Sequence, residues 1–265
     1  MEREIVIRLG AYAGVFALMA SLEALAPRRR LRTSKGIRWL SNISVTVLGA
    51  ALVRLAFPVT AVAFAATAEA RGWGLLNAVS LSPLFETVLA VVALDLVIFA
   101  QHVVFHFQSV LWRLHMMHHA DLDIDVTTGA RFHPLEILIS MAIKLCAIAA
   151  IGPSPGAVVA FEVILNATAM FNHSNFALPL PLDGIVRLLL VTPDMHRVHH
   201  SVIIREMNSN YGFNLSLWDR LIRTYRPQPV KGHDEMAIGL ANYRDPGQLT
   251  LPHLLAMPLT AKLLR

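Results

Sequence analysis

The sequence predicts an all-α integral membrane protein: about four to five transmembrane helices, a histidine-rich metal site on the cytoplasmic side, and interfacial amphipathic helices. Three observations predict it. Hydrophobic residues make up 55% of the 265 and charged residues only 15%, well below the quarter or so usual in a soluble domain. The apolar residues come in blocks, several of which approach or exceed the roughly 20 residues of helix that cross a bilayer. Twelve histidines gather beside those blocks. A disordered chain, a collagen-like chain and an ordinary soluble enzyme are thereby excluded. The single cysteine, Cys146, rules out a disulfide within the chain and a multi-cysteine zinc or iron–sulfur site. The net charge of +5 reads as orientation and contact with anionic membrane lipids. Nucleic acid is not an expected partner, because no basic patch with a reading element is present.

The first apolar stretch covers residues 4–26. It has no net basic start and no clear small-residue cleavage site, and it is too long for a signal-peptide core, so it reads as a retained helix. Arg28, Arg29, Arg30, Arg32, Lys35 and Arg38 follow, six positive charges in eleven residues. By the positive-inside rule this loop is cytoplasmic. A second span covers 42–66, interrupted by Arg54 and Pro58, and residues 67–82 form a short loop on the opposite side. A third span, 83–107, returns to the cytoplasm. Residues 134–152 and 156–173 form a membrane hairpin around the turn Gly152-Pro153-Ser154-Pro155-Gly156, with Cys146 buried in its first arm. The rest is more charged, apart from amphipathic stretches near 182–191 and 249–265 that suit the interface. The expected organisation is N-terminal helices over 1–82, a di-metal catalytic domain over 83–226 and an interfacial tail over 227–265. In this topology every histidine falls at or beyond a cytoplasmic helix end.

His102 and His106 close the third span at i and i+4, and so share a helix face. Asp95 lies within about 20° of the same line. It is too far along the helix, about 10 Å from His102, for a direct bond. It could orient a histidine from another segment or simply hold helices together. His115, His118 and His119 form an H-x2-H-H cluster, and His196, His199 and His200 form another. On a helix, i, i+3 and i+4 converge on one face, so each cluster can offer three nitrogens to a metal pair. His133 stands at the start of the fourth span and His173 at the end of the fifth, and both are candidate ligands. Glu162, Asn166 and His173 form one polar stripe on the fifth span. Glu162 and Asn166 could brace a substrate cavity below the metals, or Glu162 could pair with Arg54 or Lys144 and only hold the bundle. His233 and His253 read as surface histidines.

Imidazole suits iron, zinc, copper and nickel, and the ligand types alone do not select among them. Hydrolytic two-metal sites usually include carboxylates. An all-histidine site at the bilayer edge suits dioxygen activation against an apolar substrate, because cleaving an unactivated C–H bond is beyond protein side chains.

With these residues in view, the chain resembles the fatty acid hydroxylase / sterol desaturase superfamily of membrane di-iron oxygenases. The three boxes H-x3-H, H-x2-H-H and H-x2-H-H are present in order. So is their context: Leu111-Trp112-Arg113-Leu114-His115, Asp125 to Glu136, Asn172-His173-Ser174-Asn175, Thr192 to Ser201, Asn210-Tyr211-Gly212 and Leu217-Trp218-Asp219-Arg220. The likeness covers roughly residues 90–226. Gln101 precedes His102, a form found in part of the family, and Phe99 stands where a tyrosine is common. The resemblance implies two iron ions bound by the histidines, O2 as co-substrate and an external electron donor such as a ferredoxin, a cytochrome b5-like protein or a reductase. It implies hydroxylation of a lipid C–H bond, with the named histidines as catalytic and metal residues. Desaturation or oxidative demethylation from the same site is the alternative, and a membrane metal transporter is the reading from another class. No fused cytochrome b5 domain is expected, since no His-Pro-Gly-Gly occurs. The expected location is a bacterial inner membrane with the active site facing the cytoplasm.

Overall fold

In the computed structural model, which describes residues 2–261, the regular structure is helical and includes no strand. The last four residues of the predicted interfacial stretch 249–265 lie outside the described residues. Among the described residues, five segments are long and apolar enough to cross a membrane, and the protein is an all-α membrane protein. The first is α1, Glu2–Leu25. The second, predicted as one span over 42–66, is two helices: α2, Lys35–Ala56, and α3, Ala61–Ala70. Pro58 cannot continue a helix from α2, and Thr60 caps α3 by accepting from the Ala63 N–H. Next come α4, Pro83–Phe107, and, after one extended residue at Gln108, α5, Ser109–His119. The hairpin is α6, Pro134–Ile151, and α7, Pro155–Asn172.

Packing places α7 centrally, against α1, α3 and α4, while α6 lies against α2, α3 and α4. The outer faces stay apolar and exposed, as Leu9, Leu40, Leu55 and Leu84 illustrate, which suits lipid rather than water. Cys146 belongs to this outer face, contrary to its predicted burial. Its neighbours Ala147 and Ile148 take the core positions, and one helical step of about 100° turns position 146 away.

One end of the bundle is closed by close backbone approach. Gly152 ends α6 at φ 71°, and a Cβ on Gly74 would sit 2.2 Å from the Gly152 nitrogen. Glu86 of α4 accepts from the Ser154 N–H and hydroxyl, both at 2.9 Å. This ties the 67–82 loop and the hairpin turn to the same side.

The opposite end carries the histidines under short helices: α8, Leu180–Val186; α9, Pro193–His199; α10, Ile204–Met207; α11, Leu217–Leu221; α12, Gly232–Glu235; and α13, Leu251–Thr260. The predicted basic loop is only partly a solvated one. Arg38 is buried, donating to Asp121 at 2.7 and 2.9 Å and to Asp125 at 2.7 Å. Arg29 donates to the His233 and Met236 carbonyls. Arg28 reaches Asp194 and Asp234, and Arg30, Arg32 and Lys35 remain exposed. Glu23, near the end of α1, accepts from the Val126 and Asn175 N–H groups at 2.7 and 2.6 Å. His253 is exposed as expected. His233 is not: it is buried 3.6 Å from Asp194, which also holds Arg28 and Arg197.

Candidate metal centre

Nine of the ten predicted ligand histidines come together, in two groups. His102, His106, His115, His119 and His199 form one, and His118, His173, His196 and His200 the other; within each, one nitrogen per ring lies within 4.8 Å of all the rest. All are buried except His106, which is half-buried. The helix register explains the division. His102 and His106 lie one turn apart on α4. The extended Gln108 redirects the chain, so α5 folds its i, i+4 pair His115 and His119 onto the first group and turns His118 toward the second. The cluster on α9 divides in the opposite sense: His196 and His200 join the second group and His199 the first. Each H-x2-H-H box therefore serves both groups.

Several rings face one another through Nε2. The Nε2···Nε2 distances are 3.2 Å for His102–His115, 3.1 Å for His199–His102, 3.1 Å for His173–His118 and 3.0 Å for His196–His173. Nitrogens sharing one ion at bond lengths of about 2.1 Å stand roughly 3.0–3.4 Å apart. Nδ1 is engaged on the outer side of most rings. His102 donates to the Tyr211 carbonyl at 2.7 Å, His199 to Ser209 at 2.7 Å, His173 to Ala169 at 2.7 Å and His118 to Arg131 at 3.2 Å. His115 Nδ1 meets Glu136 Oε1 at 2.7 Å, and His106 Nδ1 meets Asn208 Oδ1 at 3.3 Å. Such bonds fix the tautomer that leaves Nε2 free to ligate.

His119 and His200 supply the clearest sign that a cation belongs here. Their rings stack at 4.6 Å, and all four of their nitrogens are buried without a hydrogen-bond partner. Each such atom costs about 1–3 kcal/mol unless something binds it. Burial and then the neighbouring imidazoles hold His118, His119, His196, His199 and His200 well below the usual imidazole range. The rings are therefore neutral, as ligation requires. Neither group contains a carboxylate, and an all-nitrogen set suits a first-row transition metal.

The remaining predicted residues are placed differently. His133 is the N-cap of α6: its Nδ1 accepts from the Leu135 N–H at 3.2 Å and its Nε2 lies 3.3 Å from the Leu255 carbonyl. With both nitrogens so used, it joins neither group. Asp95 touches no histidine. It accepts from the Asn214 and Leu215 N–H groups, both at 3.3 Å, and from the Trp218 indole at 2.7 Å. It thus anchors the loop whose Tyr211 carbonyl orients His102. Glu162 pairs with Lys144 at 2.7 Å and with Arg8 at 2.9 Å, while Arg54 turns to the Pro58 carbonyl. Glu162 and Asn166 also line a cavity of about 290 Å³ that reaches His102 and His115. Glu162 thus both pairs across helices and stands on the cavity wall.

Sequence reasoning gave no role to Glu136, Tyr211 or Arg131. Glu136 carried a usable signal: it is a carboxylate on the first turn of an apolar helix, two residues after Pro134. Arg131 is fully buried, donating to the Met117 carbonyl at 2.9 Å and to Asn42 at 3.0 Å. Nothing in its local sequence announces that.

Comparison with known proteins agrees with this geometry. The family model described as fatty acid hydroxylase matches residues 87–224, just over half of the chain. The chain is 33% identical over 161 residues to an ornithine lipid hydroxylase of Rhizobium tropici, covering 58% of this chain and 46% of that protein. It is 30% identical to alkylglycerol monooxygenase of Xenopus tropicalis and 26% identical to that of Homo sapiens, in each case over 49% of this chain and 28% of the relative. The chain thus spans less than half the length of these curated relatives. No solved structure matches it.

Proposed function

The chain belongs to the fatty acid hydroxylase family, and from that membership we propose that it is a membrane oxygenase that places one oxygen atom of O2 into a lipid C–H bond. The observation that carries the reading is the pair of nitrogen-only histidine groups, the first of which reaches a largely apolar cavity through His102 and His115. The activities for which the relatives are named, hydroxylase and monooxygenase, favour oxygen insertion over desaturation. Ligands gathered at one end of the bundle, rather than along a path through it, argue against a transporter.

In this reading the nine histidines hold two iron ions, and the catalytic domain runs over 83–226. The ions supply the oxidant needed for an unactivated C–H bond. The balance is one lipid C–H, one O2, two electrons and two protons in, and one alcohol and one water out. An external donor, such as a ferredoxin, a cytochrome b5-like protein or a reductase, delivers the electrons. The chain's own contribution is positional. Tyr211, Ser209, Ala169 and Arg131 carbonyls and the Glu136 carboxylate orient the rings. Phe132 stacks on His118 at 4.4 Å and walls the cavity from the second group. Apolar side chains of α2, α4 and α7 keep water from the reacting carbon. The cytoplasmic side, in a bacterial inner membrane, is where a soluble donor would reach the histidine end, and the exposed Arg30, Arg32 and Lys35 beside it support that orientation.

The test is lipid extraction from cells with and without the gene under isotopically labelled O2, paired with iron analysis of the purified protein. We expect a lipid heavier by one labelled oxygen and two iron ions per chain. Absence of iron, or a product oxygen derived from water, would overturn the proposal.

A further inference from the structure

The short helices α8 and α11 form one plate with an apolar outer surface. Hydrogen bonds stitch the two segments together. The Val191 N–H donates to the Asn214 carbonyl at 2.9 Å and the Ser216 N–H to the Leu189 carbonyl at 3.0 Å. Ser216 Oγ and the Arg220 guanidinium both donate to the Arg187 carbonyl, at 2.7 and 2.9 Å. Along α8 and the turn after it, Leu180, Ile185, Leu188 and Leu189 are 61–69% exposed. Leu217, Leu221 and Ile222 of the α11 side are exposed too. Large apolar side chains gathered on one surface mark a partner other than water.

The plate is seated deep beside the spans. The Trp218 indole donates to Asp95, which stands midway along α4, about 18 Å from its Pro83 end. The Thr168 hydroxyl donates to the Asn214 side chain, and Thr168 stands about 20 Å from the Pro155 end of α7. Asn172 of α7 donates to the Phe213 carbonyl at 2.9 Å. Pro83 and Pro155 lie at the end of the bundle away from the histidines. A hydrocarbon core is roughly 30 Å thick, so contacts 18–20 Å from that end fall inside it. The charges of the plate are sorted as well. Its acids are buried and used: Asp183 pairs with Arg187, and Asp219 accepts from the Tyr211 and Gly212 N–H groups and the Thr224 hydroxyl. Arg220, Arg223 and Arg226 follow where the leucines of α11 end, with Arg223 exposed and the other two half-buried. Among the described residues none of these three arginines has a carboxylate partner, and Arg220 lies over the Tyr225 ring at 4.0 Å.

We propose that α8 and α11 are seated in the bilayer leaflet at the histidine end, and that Arg223, with Arg220 and Arg226, binds the phosphate of an anionic phospholipid there. The leucines lie among the acyl chains, and the guanidiniums reach up to the headgroups. Unpaired arginine charge beside buried, occupied acids favours an anionic lipid over a zwitterionic one. The plate carries the loop 211–218, whose Tyr211 carbonyl orients His102, so the lipid contact braces the metal end from outside. The inference rests on the membrane character of the chain and is independent of the reaction.

The experiment reads lipid contact directly and needs no turnover. In a Cys146→Ser background, Ile185→Cys, Leu221→Cys and Lys231→Cys each carry a nitrobenzoxadiazole fluorophore on the full-length protein. The protein is placed, one chain per disc, in nanodiscs of phosphatidylcholine mixed with phosphatidylglycerol, and one lipid or the other has brominated acyl chains. We expect bromine to quench positions 185 and 221 and to spare 231. At position 221, brominated phosphatidylglycerol should quench as though enriched about fivefold over phosphatidylcholine, the worth of one arginine near the headgroups. Arg223→Gln with Arg226→Gln should remove that preference while quenching by either lipid persists and the melting temperature holds. If the double variant does not fold, Arg223→Gln alone should cut the preference at least in half. No quenching at 185 and 221 would place the plate outside the lipid and overturn the proposal. Equal quenching by the two lipids would overturn the anionic site. Discs holding two chains test the competing occupant: quenching lost there, with energy transfer between labelled copies, would make the leucine surface a contact between copies and overturn the lipid seat.

Discussion

His115 Nδ1 and Glu136 Oε1 meet at 2.7 Å, which turns the other nitrogen of His115 toward His102. The orientation of the His115 ring is thus carried by a carboxylate on a different helix. Glu136→Ala should lower metal affinity about 10–100-fold. Glu136→Gln, which keeps an acceptor, should lower it less. Chelator competition on the purified variants measures both, and wild-type affinity in Glu136→Ala would refute the role.

His133 and His173 set a helix cap against a candidate ligand. His173→Ala should remove one of four rings from its group and deplete metal, with activity lost. His133→Ala should keep full metal content and lose about 1 kcal/mol of stability, the usual worth of an N-cap. Metal analysis beside a thermal melt tells them apart. Depleted metal in His133→Ala would return that residue to the site.

Asp95→Asn removes the carboxylate that gathers two backbone N–H groups and the Trp218 indole. Loosening that loop shifts the Tyr211 carbonyl from His102 and should cost about 1–3 kcal/mol of stability, with metal affinity or activity down about 10–100-fold. Trp218→Phe, which removes one donor only, should show a smaller change. Wild-type stability and metal affinity in Asp95→Asn would rule out the anchoring role.

Acid should destabilise the metal-stripped protein. Burial pushes His173 down to about 4, and the other histidines of α5 and α9 noted above are also lowered. Unfolded imidazoles titrate near 6.5. Between those values the unfolded chain binds more protons, so stability is full above about pH 6.5 and falls as pH drops toward about 4. Asp121 adds to the loss at still lower pH. Burial alone would raise its pKa, but Arg38 and Arg131 outweigh burial and hold the carboxyl well below the usual range. Melting temperatures of chelator-treated protein at pH 7.5 and pH 5 should differ clearly. A flat profile would contradict the neutral cluster.

Orientation is accessible to labelling. In a Cys146→Ser background, Ser80→Cys and Lys231→Cys place exposed thiols at opposite ends of the bundle. An impermeant reagent outside intact cells should label position 80 and spare 231. The reverse would invert the topology.

The sequence by itself determined the membrane helices and the gathering of the histidines at one end. Apolar block length and i, i+4 spacing are local properties that survive in a linear reading. It left open what depends on partners far along the chain. His133 looked like a ligand because its position matched, yet its two nitrogens are taken by Leu135 and Leu255. Asp95 looked aligned with His102, yet its donors lie some 120 residues later, at Asn214, Leu215 and Trp218. Division of the nine rings into groups of five and four was decided by the angle between α4 and α5 and by the seating of α9. The same packing set Glu162 between Lys144 and Arg8. These depend on how helices meet, and periodicity within one helix does not encode the rotation or tilt of its neighbour.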